Sequence, residues 1–413
     1  MKRYSAYKPS GVEWIGDIPE KWKIMPFKYC MTINNGADYK DIEDSDGYPV
    51  FGSGGSFAFA KKYMYDGEVV FLGRKGTVDK PLYYNGKFWA IDTMFYAIPQ
   101  RNVSCKYMYY HALTFPFDFY LTDTARPSMT QTDLGDNKIA GPPKDEQVAI
   151  AAYLDAKCAK IDNVLSVQQK RIELLKELKQ SIITNVVTKG LDKNVEFKPS
   201  GIEWIGDISE KWEVGKIKFY STLHNGDRSS EYPNAKELVD EGVLFLTSNN
   251  IHNLILDVSN VQNKYITDEK YKRLGGAKIC LNDIVFCLRG SIGNCSINTS
   301  ISKGTVASSL VVIRPNRINA FFLNYALHSN IVESQTCIAM NGSCAANLSA
   351  ENVGNYYIAI PPKDVQEHIT FYLNKKCSAI DNQISKIERQ IELLKEYKQS
   401  IITECVTGKR KVC

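Results

Sequence analysis

The feature that most constrains this chain is that it repeats parts of itself at long range. Lys8 to Trp22 (KPSGVEWIGDIPEKW) returns as Lys198 to Trp212 at an offset of 190, with 13 of 15 positions identical. A second segment, Ile172 to Thr184, returns as Ile391 to Thr403 at an offset of 219, with the single change Leu178/Tyr397. The second half therefore holds about 29 extra residues between its repeated segments. The stretches in between are unlike. Residues 24–141 contain Gly52-Ser53-Gly54-Gly55 and Gly73-Arg74-Lys75-Gly76-Thr77, whereas residues 214–360 contain Thr247-Ser248-Asn249-Asn250 and Leu288-Arg289-Gly290-Ser291. A solenoid repeats every ~20–50 residues, and a duplicated enzyme usually keeps its site motif in both halves. A repeated frame around two unlike inserts implies two readers of different targets on one pseudo-symmetric scaffold.

The second repeated segment lies in a long helical stretch. Residues 145–189 lack proline and glycine, follow Pro142-Pro143, and offer Asp145 as N-cap and Gly190 as stop. The twin follows Pro361-Pro362, with Asp364 as cap and Gly408 as stop. Ile380, Ile384, Ile387, Ile391, Leu394, Lys398, Ile401 and Cys405 alternate spacings of four and three, a coiled-coil seam. Ile161, Leu165, Gln168, Ile172, Leu175, Lys179, Ile182 and Val186 keep the same register in the first copy, its lysine equivalently placed. Two matching seams are expected to pack on each other, the alternative being two amphipathic helices that each cover their own domain. About 27 residues at ~1.5 Å rise give roughly 40 Å, close to one turn of B-DNA at about 34–36 Å.

Glu68–Leu72 and Ser309–Ile313 read as strands and Tyr107–Leu113 as a helix, so each globular part is α+β, a mixed α/β fold. The expected divisions are a first domain at 1–143, a helical spacer at 144–190, a second domain at 191–362 and a second helical region at 363–410.

Composition excludes more than it selects. No apolar run approaches the ~18–20 residues of a membrane span, and the Met-Lys-Arg-Tyr start lacks a signal peptide's apolar stretch. Eleven cysteines at scattered spacings, without a Cys-x-x-Cys, and only five histidines predict reduced thiols in a cytoplasm and no metal site. A net charge of +5 permits a nucleic-acid partner without requiring one.

The opening Gly11-Val12-Glu13-Trp14-Ile15-Gly16-Asp17-Ile18-Pro19-Glu20-Lys21-Trp22 resembles the start of a target-recognition domain of type I restriction–modification specificity subunits. Arg126-Pro127-Ser128-Met129 through Leu134, then Ile139 to Gln147, resembles the junction where such a domain enters its helix. Ile360-Pro361-Pro362-Lys363-Asp364-Val365-Gln366 keeps that pattern with Val365 in place of the usual glutamate. Tyr48 to Gly55 and Gly73-Arg74-Lys75-Gly76 are similar to features of the first domain, and the likeness covers nearly the whole chain. The resemblance implies two target-recognition domains, each reading half of a split, asymmetric site on double-stranded DNA. It also implies an antiparallel coiled coil of the two helices that sets the spacing and docks two methyltransferase subunits. Those partners would bind S-adenosylmethionine, and restriction subunits would bring ATP and Mg. This chain would hold no cofactor and do no chemistry.

The motifs agree with a non-catalytic reading. Gly52-Ser53-Gly54-Gly55 reads as a surface turn, because Phe57-Ala58-Phe59-Ala60 does not continue as the helix an S-adenosylmethionine loop needs. No Asn/Asp-Pro-Pro-aromatic motif, phosphate loop or Gly-x-Ser-x-Gly elbow occurs, and His111, His224, His252, His328 and His368 are isolated. Phosphate contacts should supply affinity and base-edge contacts specificity. The candidate DNA-binding residues of the first domain are Arg74, Lys75, Thr77, Arg126, Ser128 and Gln131. Those of the second are Ser248, Asn249, Asn250, Arg289, Ser291, Asn341 and Ser343. A coiled-coil scaffold for protein partners and a self-sufficient methyltransferase-nuclease are the rival readings.

Overall fold

The structure is a computed structural model and describes residues 3–120, 128–192, 194–259, 262–341 and 348–412. It divides into two compact units: residues 1–169 with 387–413, and residues 170–386. The boundary falls inside both long helices, so each unit owns one half of each.

Unit 1 is built on a seven-stranded sheet. Its strands are β1 (Met31–Asn35), β2 (Glu43–Asp44), β3 (Tyr48–Gly52), β4 (Gly55–Ala60), β5 (Tyr65–Gly73), β6 (Leu82–Ala90) and β7 (Met94–Pro99). The order is β1-β7-β5-β6-β3-β4-β2, with β3 and β6 parallel and the other pairs antiparallel. The Gly52–Gly55 segment is the turn between β3 and β4, and Phe57 to Ala60 continues as strand. Helix α1 (Cys105–Ala112) follows the sheet, and α2 (Gln131–Asp136) precedes the ribbon of Lys138–Gly141 with Lys23–Pro26.

Unit 2 repeats this plan in two pieces. Strands β8 (Ser221–Asn225), β14 (Leu310–Pro315), β11 (Ile284–Cys287) and β12 (Cys295–Ile297) pair in that order. Strands β10 (Lys264–Ile266), β9 (Val243–Leu246) and β13 (Gly304–Val306) form a second sheet, with β9 and β13 parallel. The long strand β6 thus corresponds to a broken pair, β12 and β13. Helix α4 (Asp268–Arg273) belongs to the extra residues of this half, and α5 (Ala320–Leu327), α6 (Asn330–Asn341) and α7 (Ala350–Gly354) complete the unit.

The two long helices are α3 (Lys144–Lys189) and α8 (Lys363–Val406). Each starts one residue before its expected aspartate cap. Asp145 and Asp364 instead lie in the first turn, where a carboxylate complements the positive helix end. In unit 1, Ile150, Ala151, Leu154 and Cys158 of α3 share a core with Ile401, Ile402, Cys405 and Val406 of α8. In unit 2, Ile183, Val186 and Val187 share one with Ile369, Leu373 and Cys377. Asp162 meets Lys398 in unit 1, and Lys179 meets Asp381 in unit 2. The pairing in each unit is therefore antiparallel. Along the seams Ile161, Ile172, Ile380, Ile384, Ile387, Ile391 and Ile401 are buried, and Leu165, Leu175, Ile182 and Leu394 are half-buried.

The repeated motifs act as joints between domain and helix. Gln147 accepts from the Ser104 amide (3.0 Å) and donates to the Pro142 carbonyl (2.9 Å), fixing the N-cap of α1 to the start of α3. Gln366 does the same for Asn319 and Pro361, both at 2.8 Å. Losing such a buried amide costs about 1–3 kcal/mol through the partners it strands. Helices α3 and α8 are followed by Gly190 (φ +79°) and Gly408 (φ +75°), in the left-handed region glycine tolerates. A Cβ on Gly190 would lie 3.0 Å from the Trp212 ring, and one on Gly408 3.1 Å from the Trp22 ring. The joint is built alike in both units, and the nine described cysteines are free thiols.

Candidate nucleic-acid interface

Strand direction decides where the candidate residues go. In unit 1 the C-terminal ends of β1, β3 and β5 gather at one rim around the turn from β6 into β7: Gly36 N donates to Met94 O (3.0 Å), Ala37 N to Ala90 O (2.9 Å), Ile91 N to Phe51 O (3.1 Å) and Arg74 N to Thr93 O (2.9 Å). Met94 stands opposite Gly73 in β5, and in unit 2 Leu310 stands opposite Cys287. This register makes the loop after Gly73 equivalent to the loop after Cys287.

Two backbone contacts confirm the equivalence. The Arg74 amide donates to the Thr93 carbonyl (2.9 Å), as the Leu288 amide does to Ser309 (2.8 Å). The Met129 amide donates to the Arg74 carbonyl (3.0 Å), as Leu348 does to Leu288 (3.1 Å). The loop before α2 is thereby sewn to the loop after β5, and Lys75 pairs with Ser128 in an isolated bridge. Arg289 is thus the counterpart of Lys75, not of Arg74. The position equivalent to Arg74 is Leu288, which is fully buried.

In unit 1 the rim collects half-buried Arg74 and Thr77 with exposed Lys75 and Ser128. Arg74 Nη1 donates to the Asp92 carbonyl (3.3 Å), with the guanidinium 5.8 Å from the Phe95 ring centroid. Gln131 begins α2 and its amide donates to the Ile33 carbonyl, tying α2 to β1. In unit 2, Arg289 and Ser291 are exposed on the equivalent loop, and Ser248 and Asn249 lie after β9. The Ala307 amide on the Leu246 carbonyl (2.8 Å) matches Ile91 on Phe51 (3.1 Å), so Ser248 corresponds to Ser53.

Asn250 departs from the expectation of a base reader. It is buried, accepts from the Thr247 amide (3.0 Å), and donates to Asp257 O (3.0 Å) and Asn263 Oδ1 (2.7 Å). With donors and acceptor engaged in its own loop, it shapes the turn that presents its neighbours. Asn341 is the last residue of α6. Arg126 and Ser343 lie outside the described residues.

Among the described residues, neither Arg74, Lys75 nor Arg289 takes part in an ion pair. Exposed cations without carboxylate partners at a loop rim suit a polyanion. Cys295 Sγ lies 3.4 Å from His328 Nδ1, but burial pushes the thiol up and the imidazole down, so both stay neutral near pH 7. His328 Nδ1 lies 2.8 Å from the Asn324 carbonyl, and the contact is one of packing.

Comparison with known proteins settles the family. The model for the type I restriction modification DNA specificity domain matches residues 19–182 and again residues 205–394. The chain belongs to the type I restriction modification DNA specificity family. As a specificity chain it carries two recognition domains. It is 25% identical to the MjaX specificity subunit of Methanocaldococcus jannaschii, covering 96% of each chain. It is 24% identical to the MjaVIII specificity subunit of the same organism, over 83% of this chain and 76% of that one. A solved chain, from work on complex assembly and conformational transition of the type I R-M system, has the same fold. Its TM-score is 0.69 at 14% identity, with 94% of this chain and 98% of that one covered.

Two residues of the rim went unnoticed in the sequence. Gly36 and Gly226 follow β1 and β8, and a Cβ there would lie 1.9 Å from the Ile91 carbonyl oxygen and 2.3 Å from that of Ala307. Asn35-Gly36 and Asn225-Gly226 keep the 190 offset of the opening motif, a signal present in the sequence. Only glycine permits this close approach of two rim loops.

Proposed function

We propose that this chain reads a bipartite site on double-stranded DNA, one half with each recognition domain, and leaves the chemistry to its partners. The observation that carries the reading is the pair of equivalent rims, each presenting an exposed cation without an ion-pair partner, Lys75 in one and Arg289 in the other, on loops of unlike sequence. Positive charge supplies affinity for phosphates, and unlike loop residues supply two different base preferences. Arg74, Lys75, Thr77 and Ser128 serve the first half-site, and Ser248, Asn249, Arg289 and Ser291 the second.

Two methyltransferase subunits would carry S-adenosylmethionine, and restriction subunits ATP and Mg. Support for two equal docking partners comes from the repeated helical segment. Leu174 and Leu178 on α3, 55% and 50% exposed, recur as Leu393 and Tyr397 on α8, 47% and 49% exposed. Apolar pairs one helical turn apart, present twice in the same context, suit one partner surface used twice. The DNA it acts on would be cytoplasmic; no helix among the described residues is long and apolar enough to cross a membrane.

The test is co-expression with a methyltransferase subunit of a type I system, followed by mapping of N6-methyladenine in host DNA. A bipartite motif that changes in one half when residues 24–141 are exchanged supports the reading. A stable complex with an active methyltransferase and no methylated motif overturns it in favour of a protein scaffold.

A further inference from the structure

The recognition rim of unit 2 lacks the cation that Arg74 provides in unit 1, because the equivalent position is the buried Leu288. A guanidinium nevertheless occupies the matching place. Arg74 Nη1 reaches the Asp92 carbonyl at 3.3 Å, and Arg228 Nη2 reaches the Ser308 carbonyl at 3.5 Å. These carbonyls are equivalent. Each lies two residues before a strand residue at a matched register position, Met94 opposite Gly73 and Leu310 opposite Cys287. The turns that carry them are alike, with Met94 N on Ile91 O and Leu310 N on Ala307 O, both at 3.0 Å.

The two side chains arrive from different elements. Arg74 follows β5, whereas Arg228 follows β8, two residues past Gly226. The position two residues past Gly36 in unit 1 is Asp38, which accepts from the Lys40 amide (3.1 Å). One rim therefore carries Asp38 with Arg74, and the other Arg228 with Leu288. A charge has moved between loops while its location at the rim has been kept.

The backbone under Arg228 is firmly held. Asp227 is buried and accepts from the Ser229 amide (2.6 Å) and the Gly275 amide (2.7 Å). A Cβ on Gly276 would lie 2.1 Å from Asp227 N, so these loops touch through backbone. Arg228 itself is exposed, and among the described residues it joins no ion pair.

We infer that Arg228 is a DNA-contacting residue of the second recognition domain, neutralising a backbone phosphate of its half-site as the counterpart of Arg74. The inference rests on the DNA-reading function proposed above. Phosphate is the assigned partner because most protein–DNA hydrogen bonds go to the backbone and nothing in the loop equips Arg228 to select a base.

The experiment uses the full chain assembled with its methyltransferase, and a duplex bearing the motif found by methylation mapping. Binding is measured by fluorescence anisotropy across a salt series. Arg228→Ala and Arg228→Gln should each weaken binding about tenfold at moderate salt and lower the salt slope by about one. Arg228→Lys should retain the slope. Arg317→Ala, beyond the far end of β14, should match the parent complex. If the parent binds its duplex and the Arg228 variants bind equally well with unchanged slope, the inference is overturned while DNA reading stands. If the parent complex itself shows no affinity for the duplex, the DNA-reading function fails and the inference falls with it.

Discussion

Lys398 of α8 donates to both carboxylate oxygens of Asp162 in α3, at 2.6 and 2.7 Å. The repeat reproduces this pair with the helices exchanged: Lys179 of α3 meets Asp381 of α8 at 2.8 and 2.7 Å. The seam lysines that look out of place among isoleucines are thus the residues that fix antiparallel register within each unit. The aspartates are about half exposed, so each pair should stabilise by no more than ~1 kcal/mol. Asp162→Ala and Lys398→Ala should each cost about that much, with a double-mutant cycle returning a coupling of similar size that shrinks in high salt. Strictly additive losses would show that the two side chains are neighbours without being partners.

Arg74→Ala should weaken cognate DNA binding by the methyltransferase complex about tenfold or more, equivalent to roughly 1–3 kcal/mol. Assembly should be intact, because the Arg74 side chain bonds the Asp92 carbonyl and lies over the Phe95 ring, both in its own unit. Size-exclusion chromatography of the complex and a DNA titration check the two halves of this statement. Unchanged affinity in the assembled complex would remove Arg74 from the interface.

Gly36→Ala should damage one half-site only. The new methyl group would lie 1.9 Å from the Ile91 carbonyl oxygen, which forces the loop after β1 away from the β6–β7 turn. Overpacking of this kind costs about 1–3 kcal/mol. Methylation mapping should show relaxed recognition of the half read by unit 1, and Gly226→Ala the mirror result. Equal loss at both halves would mean that the substitution acts through global unfolding.

Acid should weaken unit 1 above the usual carboxylate range. His111 is buried, its Nε2 accepts from the Ala140 amide (3.0 Å), and burial lowers its pKa from 6.5 to about 4. The unfolded chain takes up a proton near pH 6.5 that the folded one refuses until about pH 4. The stability tied to neutral His111 is complete above pH 6.5 and declines as pH falls toward 4. Going from pH 7 to 5 should cost ~2 kcal/mol. Burial pushes His328 down in unit 2, in the same direction. Urea titrations at the two pH values test this, and His111→Gln, which keeps an acceptor for Ala140, should flatten the dependence. A midpoint independent of pH in the parent would refute it.

The helices were legible because their signals are local and periodic. The absence of proline and glycine, the four-three spacing and the stops at Gly190 and Gly408 lie along one stretch of chain. The rim loops were legible as loops, since Gly73 to Gly76 and Leu288 to Gly293 announce turns. Their mutual alignment was not. Reading Arg74 against Arg289 is natural in sequence, and only the strand register shows that Arg289 answers to Lys75. Asn250 looked like a reader for the same reason, because an asparagine beside a serine does not reveal that both ends of its amide are engaged.

By itself the sequence determined the duplication, the two helices, their polar interruptions and the unlike inserts, all properties of residues near one another or of copies that can be superimposed. What only the tertiary structure decided is which copy meets which. Trp212 is covered by Gly190, a short way upstream, but Trp22 is covered by Gly408, from the other end of the chain. Both tryptophans and both glycines are locally equivalent, so no local energy distinguishes the pairings. The choice is made by antiparallel packing of α3 and α8, which returns the end of α8 to the unit that holds the first motif.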